Sequence, residues 1–257
     1  MLLAIDIGNT QTVFGLETDG KWTTWRLQTD HHATEDEMAA QLRALFDLSG
    51  LDFRADAAIC ASVVPPMNNS VQRLCSKWLG LDCLFLKHDS RLGLDVTYQP
   101  PTAVGADRLA NALGALERFK PPIIVVDFGT ATTFDAIDSS GTYIGGAILP
   151  GVMVSTEALV GHTAKLPQIE FKTPDRVIGR TTIESLQSGI VLGYAGAIDS
   201  LARRMTAELS GAKVISTGGL GSMFLGICET IESHEPNLTL EGLAIAWTRL
   251  NEAHSKS

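Results

Sequence analysis

A cluster of turn-forming residues occurs twice in the chain. Asp6-Ile7-Gly8-Asn9-Thr10-Gln11-Thr12 follows the apolar run Leu2 to Ile5, and Asp127-Phe128-Gly129-Thr130-Ala131-Thr132-Thr133 follows Ile123 to Val126. With position 6 set on position 127, an offset of 121 residues, a gapless slide pairs Asp6 with Asp127, Gly8 with Gly129 and Thr12 with Thr133. Further along, Leu16 meets Ile137, Glu17 meets Asp138, Gly20 meets Gly141 and Trp22 meets Tyr143. Shared turn glycines and a shared Asp-x-Gly exceed what strand composition alone requires. The period is too long for a solenoid and implies a duplicated domain. A chain of 257 residues can bury two cores. The expected division is residues 1–118 and 119–257, each half opening on a strand, a polar turn and a hairpin.

Local patterns fill in a mixed α/β order. Strands are expected at 2–8, 11–18 and 21–28, the last two joined by Asp19-Gly20, a strong hairpin signal between alternating runs. Thr34 and Glu37 form a capping box for a helix whose buried face carries Met38, Leu42, Leu45 and Phe46. A strand near 57–63, a helix near 67–79, a short strand at 83–87, a loop at 92–101 and a helix at 106–119 complete the first half. In the second, strands fit 123–126, 142–149 and 213–217. Helices fit from Val152, over 183–209 behind a Thr181/Glu184 capping box, and at 220–232 and 239–252.

Charge and cysteine usage remove several function classes. Twenty basic against 29 acidic side chains give a net charge of −9, and no Lys/Arg-rich run is present. Nucleic acids and anionic membranes are therefore not expected partners. No apolar stretch approaches the roughly 20 residues of a membrane span, and no signal-peptide pattern opens the chain, so a cytoplasmic location is expected. Cys60, Cys75, Cys83 and Cys228 lack metal or redox spacing and read as buried thiols in a reducing compartment.

The chemistry concentrates in a few stretches. In Asp6 to Thr12, Gly8 lets backbone approach a phosphate, and the amides and hydroxyls that follow it can donate to phosphate oxygens. Asp6 is repulsive to phosphate unless a magnesium ion lies between them, which points to a magnesium nucleotide. Gly15 to Lys21 fits G-x-x-x-x-G-K, but Trp22 stands where a P-loop needs Ser or Thr, and the stretch belongs to a hairpin. In Gly105-Ala106-Asp107-Arg108, at a helix start, Asp107 can accept a hydroxyl proton while Arg108 binds an anionic substrate group. The same pair also reads as a cap and a solvated ion pair. Ser216-Thr217-Gly218-Gly219 is either a surface for a purine or ribose or a plain turn, and His162 either lines a cleft or is structural.

Taken together, Asp6 to Thr10, Ala61-Ser62-Val63-Val64-Pro65, Gly105 to Arg108, Asp127 to Thr132, Gly145 to Gly151 and Ser216 to Gly219 resemble, in order and spacing, the type III pantothenate kinase family. The resemblance implies duplicated ribonuclease-H-like halves of the acetate-and-sugar-kinase/Hsp70/actin type around a nucleotide cleft. It also implies ATP-dependent phosphorylation of pantothenate to 4'-phosphopantothenate, the first step of coenzyme A biosynthesis. Residue by residue, it implies that Asp6, Ile7, Gly8, Asn9, Thr10, Gln11, Thr12, Val13 and Thr130 contact ATP. Asp107 is then the catalytic base, and Tyr98, Gly105, Ala106, Arg108 and Thr182 are pantothenate contacts. Asp127 is the implied ligand of a monovalent cation, K⁺ or NH₄⁺, with Mg²⁺ accompanying ATP. A cytoplasmic homodimer is implied as well, for which the Gly145–Leu159 region and the 183–209 helix are the candidate contacts. Thr181 departs from the Asn, Ser or Asp common at its place. Two other readings share these motifs: a nucleotide-binding regulator without turnover, and a phosphohydrolase of the same fold.

Overall fold

The computed structural model describes residues 1–163 and 166–254. They form two compact units. The first comprises Met1–Arg118 together with the last helix, and the second comprises Phe119–Pro236.

In the first unit β1 (Leu2–Ile7), β2 (Gln11–Thr18) and β3 (Lys21–Gln28) form an antiparallel meander. Asp19 and Gly20 both have positive φ, 50° and 77°, as a two-residue hairpin turn demands, and Thr18 pairs with Lys21. α1 (Glu35–Leu48) starts at the expected capping box, in which Thr34 accepts from the Glu37 N–H and the Glu37 carboxylate accepts from the Thr34 N–H. β4 (Ala57–Ser62) lies parallel to β1 on the side away from β2, and β5 (Cys83–Phe85) lies parallel to β4, giving the order β3-β2-β1-β4-β5. Alternation along β1 sends Leu3, Ile5 and Ile7 into a core with Met38, Leu42 and Phe46 of α1 and Val71 and Leu74 of α2 (Asn68–Leu74).

α3 (Ala106–Arg118) packs along the final helix, α8 (Leu238–His254). A Cβ on Gly242 would stand 2.5 Å from the Ala110 carbonyl carbon, so the two backbones touch there. Thr239 donates to Asn111 at 2.7 Å, Arg118 meets Glu241 at 2.9 Å and Arg249 donates to the Leu92 carbonyl at 2.6 Å. Residues 238–254 thus join the first unit, where the expected boundary had put them in the second half. A small-residue stripe that fits one particular helix carries no signal in linear sequence.

The second unit repeats the scheme. β6 (Ile123–Phe128), β7 (Ala131–Ile137) and β8 (Tyr143–Pro150) form the meander, and β9 (Lys213–Thr217) and β10 (Ser233–His234) add in parallel beyond β6. The order β10-β9-β6-β7-β8 is that of the first sheet read from the other edge. Its core joins Ile124, Val126, Phe128 and Phe134 to Ala195, Ile198 and Ala202 of α6 (Gly193–Glu208). Phe128 stacks on Phe224 with ring centroids 4.9 Å apart. α4 (Val152–Gly161) follows β8, and α5 (Thr182–Gln187) runs through a π turn into α6.

Two local expectations change. The helix expected over 220–232 is a single turn, α7 (Gly221–Phe224). Gly226 at φ 92° interrupts it, and the N–H groups of Glu229 and Thr230 turn to the Asp199 carboxylate, at 3.0 and 2.9 Å. The Thr181/Glu184 capping box is half made. Thr181 accepts from the Glu184 N–H, but the Glu184 carboxylate accepts from the Arg180 N–H at 2.6 Å.

Candidate active site

The duplicated turns sit at the same place in each sheet, between its first two strands. In the first, the Gly8 N–H donates to the Gln11 carbonyl at 3.0 Å; in the second, the Gly129 N–H donates to the Ala131 carbonyl at 3.1 Å. Three residues link β1 to β2, whereas two link β6 to β7. Strand register therefore pairs Ile7 with Thr12 and Phe128 with Thr132. The gapless slide had matched Thr12 with Thr133, and the tighter second turn makes Thr132 its structural counterpart. Thr12 and Thr132 are both buried, with inward hydroxyls.

The first turn divides by exposure. Asn9, Thr10 and Gln11 are exposed, Asp6, Gly8 and Val13 are half-buried, and Ile7 and Thr12 are buried. Ile7 belongs to the core, so its share in any ligand contact is backbone. The exposed tip with Gly8 is where backbone and hydroxyl donors meet solvent. Thr29, which the sequence reading passed over, holds this tip from behind; a lone Thr at a strand exit gives no linear signal.

Asp107 lies in the first turn of α3, where the helix dipole favours an anion. Its Oδ1 accepts from the Arg108 N–H at 2.8 Å. Burial pushes the carboxyl above its ordinary pKa, and the Arg108 N–H and guanidinium pull it back only in part. Asp107 thus has the proton affinity of a better base than an exposed aspartate. The carboxylate folds back over Gly105: a Cβ there would collide with Asp107 Oδ1. Ala106 is half-buried and Arg108 is buried. Tyr98, half-buried, precedes the short turn Pro101–Ala103 that leads to α3.

The remaining expected residues belong to the second unit. Asp127, half-buried, is paired in register with Thr133 and Thr217, and Thr130 is exposed at the tip of the second turn. Gly218 presses on this strand end: its Cβ would stand 2.5 Å from Asp127 Oδ1 and 2.7 Å from the Phe128 carbonyl oxygen. Gly218 also holds φ 85°, so glycine is required twice over. Thr182, exposed, is the first residue of α5, and His162 is an exposed residue ending α4. All four cysteines are free and buried, and burial pushes the Cys228 thiol up to about 12. Among the described residues no three His, Cys, Asp or Glu side chains gather to hold a metal ion.

Comparison with known proteins places the chain among relatives. The family model for type III pantothenate kinase matches residues 2–204. A type III pantothenate kinase of Anaeromyxobacter sp. (strain Fw109-5) is 44% identical over 252 residues, covering 97% of this chain and 99% of the relative. One from Desulfatibacillum aliphaticivorans is 44% identical over 259 residues, covering 98% and 100%. Among solved structures, a putative 2-dehydro-3-deoxygalactonokinase from Sinorhizobium meliloti superposes with TM-score 0.59 at 11% identity, covering 98% of this chain and 96% of that one. At that identity the likeness speaks for the fold: duplicated α/β units of the acetate-and-sugar-kinase/Hsp70/actin type.

Proposed function

The chain belongs to the type III pantothenate kinase family and phosphorylates pantothenate with ATP, the first step of coenzyme A biosynthesis; from that premise we propose that Asp107 is the base that takes the hydroxyl proton of pantothenate. The observation that carries this reading is the Asp107 carboxylate itself, part-buried at a helix start and aimed by the Arg108 N–H. As the pantothenate hydroxyl oxygen bonds to the γ-phosphorus and the bond to ADP breaks, its proton passes to the carboxylate. In a loose transition state this residue mainly orients the nucleophile, so a base of ordinary proton affinity suffices. Tyr98, Gly105, Ala106, Arg108 and Thr182 are the proposed pantothenate contacts.

The proposed nucleotide contacts are Asp6 to Val13, chiefly through the exposed tip and the backbone, and Thr130 in the second turn. A divalent metal accompanies ATP, for which we propose Mg²⁺ with Asp6 at its side; the metal spreads the phosphate charge. Asp127 is the proposed ligand of K⁺ or NH₄⁺. Its carboxylate, half-buried at the end of β6, supplies the oxygen donor and negative charge that a singly charged ion needs.

A homodimer is the proposed assembly. β8 is an edge strand whose Ile144 and Ile148 are exposed, and Met153, Val154 and Leu159 of α4 extend the apolar surface. No described helix is long and apolar enough to cross a membrane, and the free, buried thiols suit a reducing cytoplasm. ADP release by the purified protein with Mg-ATP and K⁺, with and without pantothenate, tests the whole reading. Release that requires pantothenate is expected. Release without it marks a phosphohydrolase, and nucleotide binding without release marks a regulator.

A further inference from the structure

The residue that follows β3 grips the first turn at three points. Thr29 is buried; its N–H donates to the Thr10 carbonyl at 2.9 Å and its hydroxyl donates to the Gly8 carbonyl at 2.7 Å. The Thr12 hydroxyl lies 2.9 Å from the same Thr29 oxygen. A hydroxyl has one proton, and that of Thr29 goes to Gly8, so Thr12 is the donor in the shared bond. Two carbonyl dipoles of the turn are thereby tied inward. Turned outward, those oxygens would repel phosphate; held inward, they leave the outer face of the turn to donors.

The second unit builds the same brace from different residues. Gly151, the residue after β8, donates its N–H to the Thr130 carbonyl at 3.0 Å. It has no room for a side chain, since a Cβ would stand 2.6 Å from the Gly129 carbonyl oxygen. The hydroxyl comes instead from Tyr194 of α6, 2.7 Å from Thr132 Oγ1 and 2.9 Å from the Pro150 carbonyl. Both turns thus keep an inward carbonyl and a hydroxyl partner for the register-equivalent threonine, although the partner is supplied by unrelated parts of the chain. A hairpin of this length needs no such partner to form.

We propose that Thr29 is a positioning residue for nucleotide binding, fixing the first turn with its carbonyls inward so that its donors meet the phosphates of ATP. The inference rests on the reading of Asp6 to Val13 as a phosphate loop. The test compares Thr29→Val, Thr29→Ala and Thr29→Ser with wild type by steady-state kinetics in both substrates, calorimetric titration with ATP, and thermal melts. Thr29→Val and Thr29→Ala are expected to raise KM and Kd for ATP about tenfold, about 1.4 kcal/mol, with KM for pantothenate unchanged. Thr29→Ser is expected to restore wild-type values. Should the valine variant fold poorly, Ser against Ala, which differ by the hydroxyl alone, gives the same comparison. Unchanged ATP constants in Thr29→Ala overturn the proposal, as does a parallel rise in both substrates' KM that follows the loss of thermal stability. Gly8→Val separates the two levels of the argument. Wild-type ATP affinity in Gly8→Val refutes the phosphate-loop reading itself, whereas weakened affinity there with none in Thr29→Ala refutes only the brace.

Discussion

Gly105→Ala moves the proposed base without touching its chemistry. The added methyl would stand 3.6 Å from Asp107 Cγ and 3.7 Å from Arg108 Cγ, ordinary contacts, but it would collide with Asp107 Oδ1. Since 3.4 Å is the near limit of ordinary contact, the carboxylate oxygen must retreat by about 1 Å, a misplacement that can cost about 10²-fold in rate. The retreat also loosens the 2.8 Å bond from the Arg108 N–H that aims the carboxylate. Because Gly105 immediately precedes α3, and its carbonyl accepts from the Leu109 N–H, alanine also weakens the helix start by about 1 kcal/mol. That shows as a small drop in Tm. Steady-state ADP release with pantothenate and ATP varied in turn is the assay. A kcat about 10²-fold below wild type, with KM for ATP unchanged, is expected. A wild-type kcat, or an effect confined to KM for pantothenate, would refute the claim that the orientation of Asp107 limits turnover.

Asp107→Asn bears on stability as well as rate. Burial raises the folded-state pKa of Asp107 above that of the unfolded chain, so wild-type stability is lost as pH climbs from about 3.9 through the folded pKa, and is level beyond it. Asparagine carries no such cost. The Tm of the variant should match wild type near the acid end and exceed it increasingly toward neutral pH; calorimetry across that range checks this, and an advantage largest in acid would contradict it. Asp127→Ala should abolish activation by K⁺ or NH₄⁺, measured as rate against added salt at constant ionic strength. A variant that still responds to these ions places the cation elsewhere.

Much of the fold was legible because its signals are local. Asp19-Gly20, the Thr34/Glu37 box and the strand Lys213–Thr217 each appear in the structure at the residues expected. The 121-residue offset exposed the duplication, and each sheet repeats the same strand order. What sequence could not carry was contact between distant elements. α8 joins the first unit through the Gly242–Ala110 contact and the Thr239–Asn111 bond, neither visible as a periodicity. The one-residue shortening of the second turn is also silent in a gapless comparison, since Thr132 and Thr133 are the same residue type and register alone tells which is Thr12's counterpart. For the candidate site, the residue types of Asp6 to Val13 and Gly105 to Arg108 are what suggest phosphate and proton chemistry. The supports behind the two turns carry no such signal: Thr29 behind the first and Tyr194 behind the second act through carbonyls and hydroxyls that only the fold brings within reach.

The most direct test of Asp107 as the base is pantothenate-dependent turnover in Asp107→Asn, measured beside its affinity for Mg-ATP. The account predicts a fall of about 10²–10⁴-fold in kcat with nucleotide affinity kept. Turnover near wild type in a variant that binds ATP normally would contradict it.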